Sequence, residues 1–309
     1  MARILVVGDL ILDKTTKVEV LGVCQENHNA LKLKPIGIQN ISQGGAGNIA
    51  RGLENLKHDV VFFSQTVSQA SVKTRYMSEH GLCMRLDEDR YVRMTRNECV
   101  EKVYDITRAV TRVPEIEAVV IVDYGKGFVS GLQSYANNSG GDFGDSHLGH
   151  TLSNYLSKTV PVFTTGPLCR AEPNEMTVIG VGNAGNYWRK NGCDREAALV
   201  ELQEALGPWD DSQLDAVIGT FGEYGSAFKL GANVSDMERA ERVPAFDPCG
   251  AGDAFLVGVI HEYLTGTREL TEDQLRACLT VGNICGRAAV MRAGVQAVQY
   301  EDIHNADYD

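Results

Sequence analysis

Asp247-Pro-Cys-Gly-Ala-Gly-Asp253 runs straight into an apolar stretch over residues 254–263. Small residues at Gly250, Ala251 and Gly252, ahead of an apolar helical pattern, put unsatisfied backbone N–H groups at a helix N-terminus, where the macrodipole also favours negative charge. The stretch therefore reads as an anion hole. Asp253 in the same first turn fits two roles. It is either an ordinary helix-start carboxylate or a general base beside a bound phosphoryl group, where an attacking hydroxyl must lose its proton. Cys249 reads either as a packed small residue or as a thiol whose pKa the helix start lowers.

Outward from this stretch, short apolar runs alternate with longer amphipathic ones, the pattern of an α/β fold. Residues 4–7, 60–63, 118–122, 160–163 and 216–218 are fully apolar and predict parallel strands covered on both faces. Helical patterns fall at 45–56, 97–110, 151–157 and 195–206, and the two strongest at 252–263 and 271–291, the last with Thr271 as its N-cap. Residues 17–21 and 29–36 alternate apolar with polar side chains and predict a half-exposed hairpin or flap. Residues 137–149 read as a surface loop. No linker or repeat divides the chain.

Composition narrows the function. Against 29 Lys and Arg stand 41 Asp and Glu, a formal charge of -12 that repels nucleic-acid backbones and anionic lipid surfaces alike. The eight cysteines contain no Cys-x-x-Cys and read as reduced, buried residues of a cytosolic protein. The histidines lack His-x-x-x-His spacing, which argues against a structural metal site. No apolar run approaches the ~18 residues of a membrane span. A second glycine cluster, Gln43-Gly-Gly-Ala-Gly-Asn-Ile-Ala-Arg-Gly52, formally holds a dinucleotide fingerprint at Gly45, Gly47 and Ala50. The acidic residue expected ~20 positions on is replaced by Ser64-Gln65-Thr66, and the cluster does not follow the first strand. The alternative is a turn that lets a polar small molecule approach the backbone.

The Gly-Ala-Gly-Asp motif, an N-terminal Gly-Asp-x-x-x-Asp (Gly8, Asp9, Asp13) and the Gly44-Gly45 turn with Asn48 together resemble the ribokinase/PfkB carbohydrate kinases, almost end to end. Residues 3–13, Val119-Val-Ile-Val-Asp-Tyr-Gly-Lys-Gly127, and Val72-Lys-Thr-Arg75 ahead of Met84-Arg-Leu-Asp87 resemble the branch that phosphorylates heptose 7-phosphate in ADP-heptose biosynthesis. The resemblance implies a ribokinase-like three-layer α/β/α sandwich: one domain over residues 1–309, a mainly parallel central sheet, and a small β lid at about 14–40 and 72–95. It implies ATP-dependent phosphoryl transfer to a sugar or sugar phosphate, taking D-glycero-D-manno-heptose 7-phosphate to the 1,7-bisphosphate through its anomeric hydroxyl. Asp253 matches the base, and Gly250, Ala251 and Gly252 the anion hole. Asp13, Gly44, Gly45 and Asn48 match sugar-holding positions; Thr220, Gly222, Gly225 and Asn283 border the nucleotide, and Asn174 opens the Asn-x-x-Glu that organises phosphate and Mg²⁺. ATP and Mg²⁺ are the implied cofactors, and a small sugar the implied partner. The rest of the expectation is a cytoplasmic protein, with no nucleic acid or membrane and a homodimer through the lid.

The sequence departs from that pattern in places. Asn174-Glu-Met-Thr177 lacks the fourth-place carboxylate, leaving Glu175 as a candidate metal ligand, and Thr164-Thr-Gly-Pro167 stands where relatives carry Asp-Pro-Lys. Pro248-Cys249 replaces Thr-Thr or Val-Thr, and a helix and strand of relatives are missing between Phe63 and Val72. These changes keep open a non-catalytic protein that binds nucleotide or sugar or serves assembly. A third reading, an NAD-dependent oxidoreductase, rests on residues 45–50 alone. Lys73, Arg75 and Arg85 read as a sugar-phosphate clamp or as solvated strand cations. Asp123 and Lys126 read as ligand contacts at a strand's carboxyl end or as a turn-stabilising pair.

Overall fold

Alternation along Arg3–Gly8 (β1) sends Ile4 and Val6 into one core and Leu5 and Val7 into another. A strand with two buried faces has no use for polar alternation, which is why these runs are apolar throughout. The chain was analysed as a computed structural model that describes residues 1–112, 115–134, 148, 152, 160–166, 177–206 and 214–304. The loop expected at 137–149 and the helix at 151–157 lie outside the described residues, apart from Leu148 and Leu152.

β1 pairs in parallel with Asp59–Phe63 (β5) on one side and Ala118–Val122 (β8) on the other. The parallel run continues through Pro161–Thr164 (β9), Thr177–Asn183 (β10) and Ala216–Thr220 (β11). Ser226–Leu230 (β12) and Asn233–Val234 (β13) close the sheet antiparallel. Helices Ala46–Asn55 (α1), Ala251–Thr265 (α6) and Glu272–Val290 (α7) cover one face. Arg96–Arg112 (α2), Phe128–Ser134 (α3) and Arg195–Leu206 (α5) cover the other, with the short Gly185–Lys190 (α4) leading into α5. Thr271 caps α7 by accepting from the Gln274 N–H.

Strand β10 is absent from the sequence reading because Gly180 and Gly182 break its apolar pattern. A Cβ on Gly180 would stand 2.7 Å from Leu214 and one on Gly182 2.8 Å from Leu202, so both glycines let α5 and Leu214 seat against the sheet.

A second sheet runs Leu31–Pro35 (β3), Leu10–Val23 (β2), Ser71–Ser78 (β6), Gly81–Glu88 (β7), with Asn40–Gly45 (β4) also on β2. The expected flap is the β2–β3 hairpin, in register from Val18↔Pro35 to Val23↔Leu31. Cross-strand register puts Asp13, Lys73 and Asp87 in one row and Arg75 and Arg85 in the next, on the same face. Thr74, Tyr76, Met84 and Leu86 take the opposite face. The glycine turn at 45–50 follows β4, a strand of this smaller sheet, and so lacks the parallel-strand context of a dinucleotide site. Among the described residues no helix is long and apolar enough to cross a membrane.

Candidate active site

The parallel strands end on a cavity of about 760 Å³, within the size range of small-molecule sites. Asp123 and Tyr124 follow β8, Thr165 follows β9, Asn183 ends β10 and Thr220 ends β11; Gly252 and Asp253 of α6 and Asn283 of α7 complete the wall. Carboxyl ends of parallel strands are where open α/β sheets bind ligands.

Gly250, with φ of 80°, is the residue from which α6 starts. The turn before it is held by Asp247, whose carboxylate accepts from the N–H groups of Cys249 at 3.0 Å and Gly294 at 3.1 Å. Ala251 donates its own N–H to the Pro248 carbonyl at 3.4 Å, while Gly252 is exposed on the cavity wall with open space where a Cβ would point. Asp253 lies buried one residue further on. Its Oδ2 accepts from Asn48 Nδ2 at 3.2 Å and its Oδ1 from the Tyr124 hydroxyl. Burial pushes its pKa up to about 6 against the opposing pull of those two donors.

Asp13 enters from β2 and forms a buried ion pair with Arg75. Arg75 also donates from Nε to Cys249 Sγ at 3.2 Å, tying the lid to the residue before the helix start. Burial and the contact with Asp247 raise the Cys249 thiol pKa, opposite to the activated-thiol reading. Arg85 is paired with Asp87, and Lys73 makes no ion pair among the described residues, so of the three cations Lys73 alone is left to meet an anion. The Gly44-Gly45 turn makes room for both sides of the site. An ideal Cβ on Gly44 would land on the Asp13 carboxylate, and one on Gly45 would lie 3.3 Å from the Tyr124 ring.

Thr220, Gly222 and Gly225 line the same cavity. Asn283 does too, but its amide is engaged, donating to the Glu238 carbonyl at 3.1 Å and accepting from Ser226 Oγ at 3.1 Å. Asn174 and Glu175 lie outside the described residues. A second partial Asn-x-x-Glu, Asn183-Ala-Gly-Asn186, stands at the end of β10 on the cavity wall, again without the carboxylate. Among the described residues no group of three or more His, Cys, Asp or Glu is placed to hold a metal ion. Lys126 pairs with Asp89 rather than Asp123; Asp123 accepts from the Gly125 N–H, and burial raises its pKa.

Sequence reading left Tyr124 and Asp9 without roles of their own. Asp9, fully buried, accepts N–H bonds from Tyr124 at 2.8 Å, Lys126 at 3.0 Å and Phe128 at 3.1 Å, fixing the loop that carries Tyr124. The only signal available was position, an acidic and an aromatic residue at the carboxyl ends of neighbouring parallel strands.

Residues 188–302, which include the Asp253 helix, match the pfkB family carbohydrate kinases. The match is confined to that segment, just over a third of the chain. The chain is 25% identical, over 99% of its length, to the bifunctional protein HldE of Marinomonas sp. (strain MWYL1), and it spans 66% of that protein, just under two thirds. Its fold is that of ribokinases. The Arabidopsis thaliana ribokinase complexed with ribose and ATP superposes with a TM-score of 0.62 at 14% identity over 100% of both chains. The Giardia lamblia ribokinase gives 0.62 at 14% over 99% of this chain and 98% of its own.

Proposed function

We propose that this PfkB chain transfers the γ-phosphoryl group of ATP to a hydroxyl of a sugar or sugar phosphate, with D-glycero-D-manno-heptose 7-phosphate as substrate and the 1,7-bisphosphate as product. Asp253 carries the reading: a buried carboxylate in the first turn of a helix whose N-terminus opens on a nucleotide-sized cavity, held by Asn48 from the glycine turn. With a pKa of about 6, Asp253 is ionised at neutral pH yet basic enough to take the proton of the attacking hydroxyl. Backbone N–H groups at Gly250 and Gly252 and the helix dipole offset charge on the transferring phosphoryl. Asp13 and Asn48 hold sugar hydroxyls, and Gly44 and Gly45 let the sugar approach the backbone. Thr220, Gly222, Gly225 and Asn283 border the nucleotide. The cavity fits ATP, which supplies the phosphoryl group. Mg²⁺ belongs to the reading as the ion that accompanies ATP, although the described residues offer it no ligand set.

The heptose substrate is supported by the resemblance over residues 3–13, 72–75, 84–87 and 119–127 and by the likeness to HldE. Lys73 on the cavity-facing side of the lid suits its phosphate. A cytoplasmic setting is supported by seven free cysteines among the described residues, and the exposed Met84 and Leu86 of the lid support a homodimer through it. A coupled ADP-release assay over a panel of sugars including heptose 7-phosphate tests the reading, with Asp253→Asn expected to lose about 10²-fold or more. If no sugar supports turnover above that of the variant, the reading fails. The second reading, a PfkB-like binding or assembly protein without catalysis, then stands. What favours it is that neither Asn174-x-x-Thr177 nor Asn183-x-x-Asn186 supplies the carboxylate.

A further inference from the structure

We propose that Tyr124 is a positioning residue for the kinase reaction, its hydroxyl holding one oxygen of the Asp253 carboxylate while Asn48 holds the other. The proposal rests on Asp253 being the base. Tyr124 sits in a surface loop, normally a mobile place for an active-site group. Here the loop is pinned, because the N–H groups of residues 124, 126 and 128 all donate to buried Asp9. The ring lies against Gly45, where any side chain would crowd it, and its hydroxyl reaches Asp253 Oδ1.

A purely packing role does not account for this placement. The residue as a whole is 41% exposed and lines the cavity, while its hydroxyl is turned inward onto a buried carboxylate. Each carboxylate oxygen has a second acceptor site, so donors on both oxygens fix the plane of the group and still leave room for a substrate hydroxyl. Tyr124 stays protonated, since burial and the neighbouring Asp253, Asp13 and Asp9 carboxylates raise its pKa well above the usual tyrosine range, and so it remains a donor.

The charges facing Asp253 come from several elements. Asp13 on β2 raises its proton affinity and Lys73 on β6 lowers it, while Arg75 is committed to Asp13. Asp9 and Asp123 flank Tyr124 on the other side. Removing the hydroxyl leaves Asn48 and Lys73 to offset burial and Asp13, so the Asp253 proton is held more tightly.

The test is the pH dependence of kcat/KM for wild type and Tyr124→Phe, beside ¹³C-aspartate NMR of the Asp253 carboxyl, which needs no turnover. The acid limb and the NMR midpoint are both expected to rise by about half to one pH unit, lowering kcat/KM about three- to tenfold on that limb. The KM for ATP stays within about twofold because binding contacts are retained. Difluorotyrosine at position 124, a stronger donor of nearly the same shape, moves both midpoints the opposite way and serves if the phenylalanine variant does not fold. Midpoints that stay with wild type, or a loss independent of pH, overturn the role of Tyr124 alone. Undiminished turnover in Asp253→Asn overturns the base reading and this one with it.

Discussion

At Gly44 there is no room for even a methyl group beside Asp13, the carboxylate proposed to hold the sugar. An ideal Cβ there falls on the Asp13 carboxylate, which is itself locked to Arg75 in a buried pair. Gly44→Ala is therefore expected to push Asp13 off its position, an overpacking change of about 1–3 kcal/mol that, for a chain of 309 residues, reads as a melting temperature lower by about 2–5 °C. The KM for the sugar should rise with little change for ATP. An alanine variant matching wild type in both would remove the argument. The site was only partly legible at this scale. Asp253, Asp13 and Asn48 stood in short motifs whose chemistry can be read from residue type and spacing. Tyr124 did not, because a lone tyrosine after an apolar run has no meaning until folding carries it across 129 positions to Asp253. Asn283 lies on the cavity wall, yet its amide serves Ser226 and Glu238, a partnership that no spacing announces.

Among the elements, α6 is the one on which most depends, and its rear is fastened by a pair of histidines. His261 in α6 meets His58, just ahead of β5, with Nδ1 and Nε2 3.0 Å apart; His58 Nδ1 faces the Ala2 N–H at 3.3 Å, so His58 Nε2 carries the proton and His261 Nδ1 accepts it. Burial lowers both pKa values, that of His261 to about 4 with His58 as the next cause. The unfolded chain protonates both histidines near pH 6.5, whereas in the folded one both protonate at lower pH, His261 only near pH 4. The contact is therefore fully stabilising above pH 6.5, and its contribution is lost as pH falls through that window. Asp253 works the other way, since a folded pKa of about 6 lets the native state bind a proton before the unfolded one does. Calorimetry from pH 7 to 4.5 should show a shallower decline of the melting temperature in His261→Gln than in wild type, and equal slopes would discard the pair as a source of acid sensitivity. The elements themselves were largely legible: strands apolar on both faces, and helices with caps such as Thr271. What escaped was β10, where close packing demanded glycine and so erased the apolar run that marks a strand.

For the molecule as a whole, a charge of -12 leaves open how the smaller sheet is used, and the register of that sheet narrows the answer. One face carries the charged residues Asp13, Lys73, Arg75, Arg85 and Asp87, among them the carboxylate proposed to hold the sugar. The other face carries Val20, Met84 and Leu86, exposed by 40%, 46% and 51%, and a substrate in the cavity cannot cover them. Scattered exposed apolar residues need no explanation, but Met84 and Leu86, two apart on the edge strand β7, form an apolar patch of the kind that a partner covers. The dimer proposed above would meet this patch with its own copy, since an isologous contact sets the same surface against itself. Light scattering on wild type is expected to give about twice the chain mass of 33.7 kDa, and Met84→Lys with Leu86→Lys should return the single-chain mass with the fold intact by circular dichroism. Like charges facing each other across such a contact are strongly disfavoured. A wild-type mass of one chain at about 100 μM, well above the Kd of a stable dimer, would leave the lid serving the substrate alone.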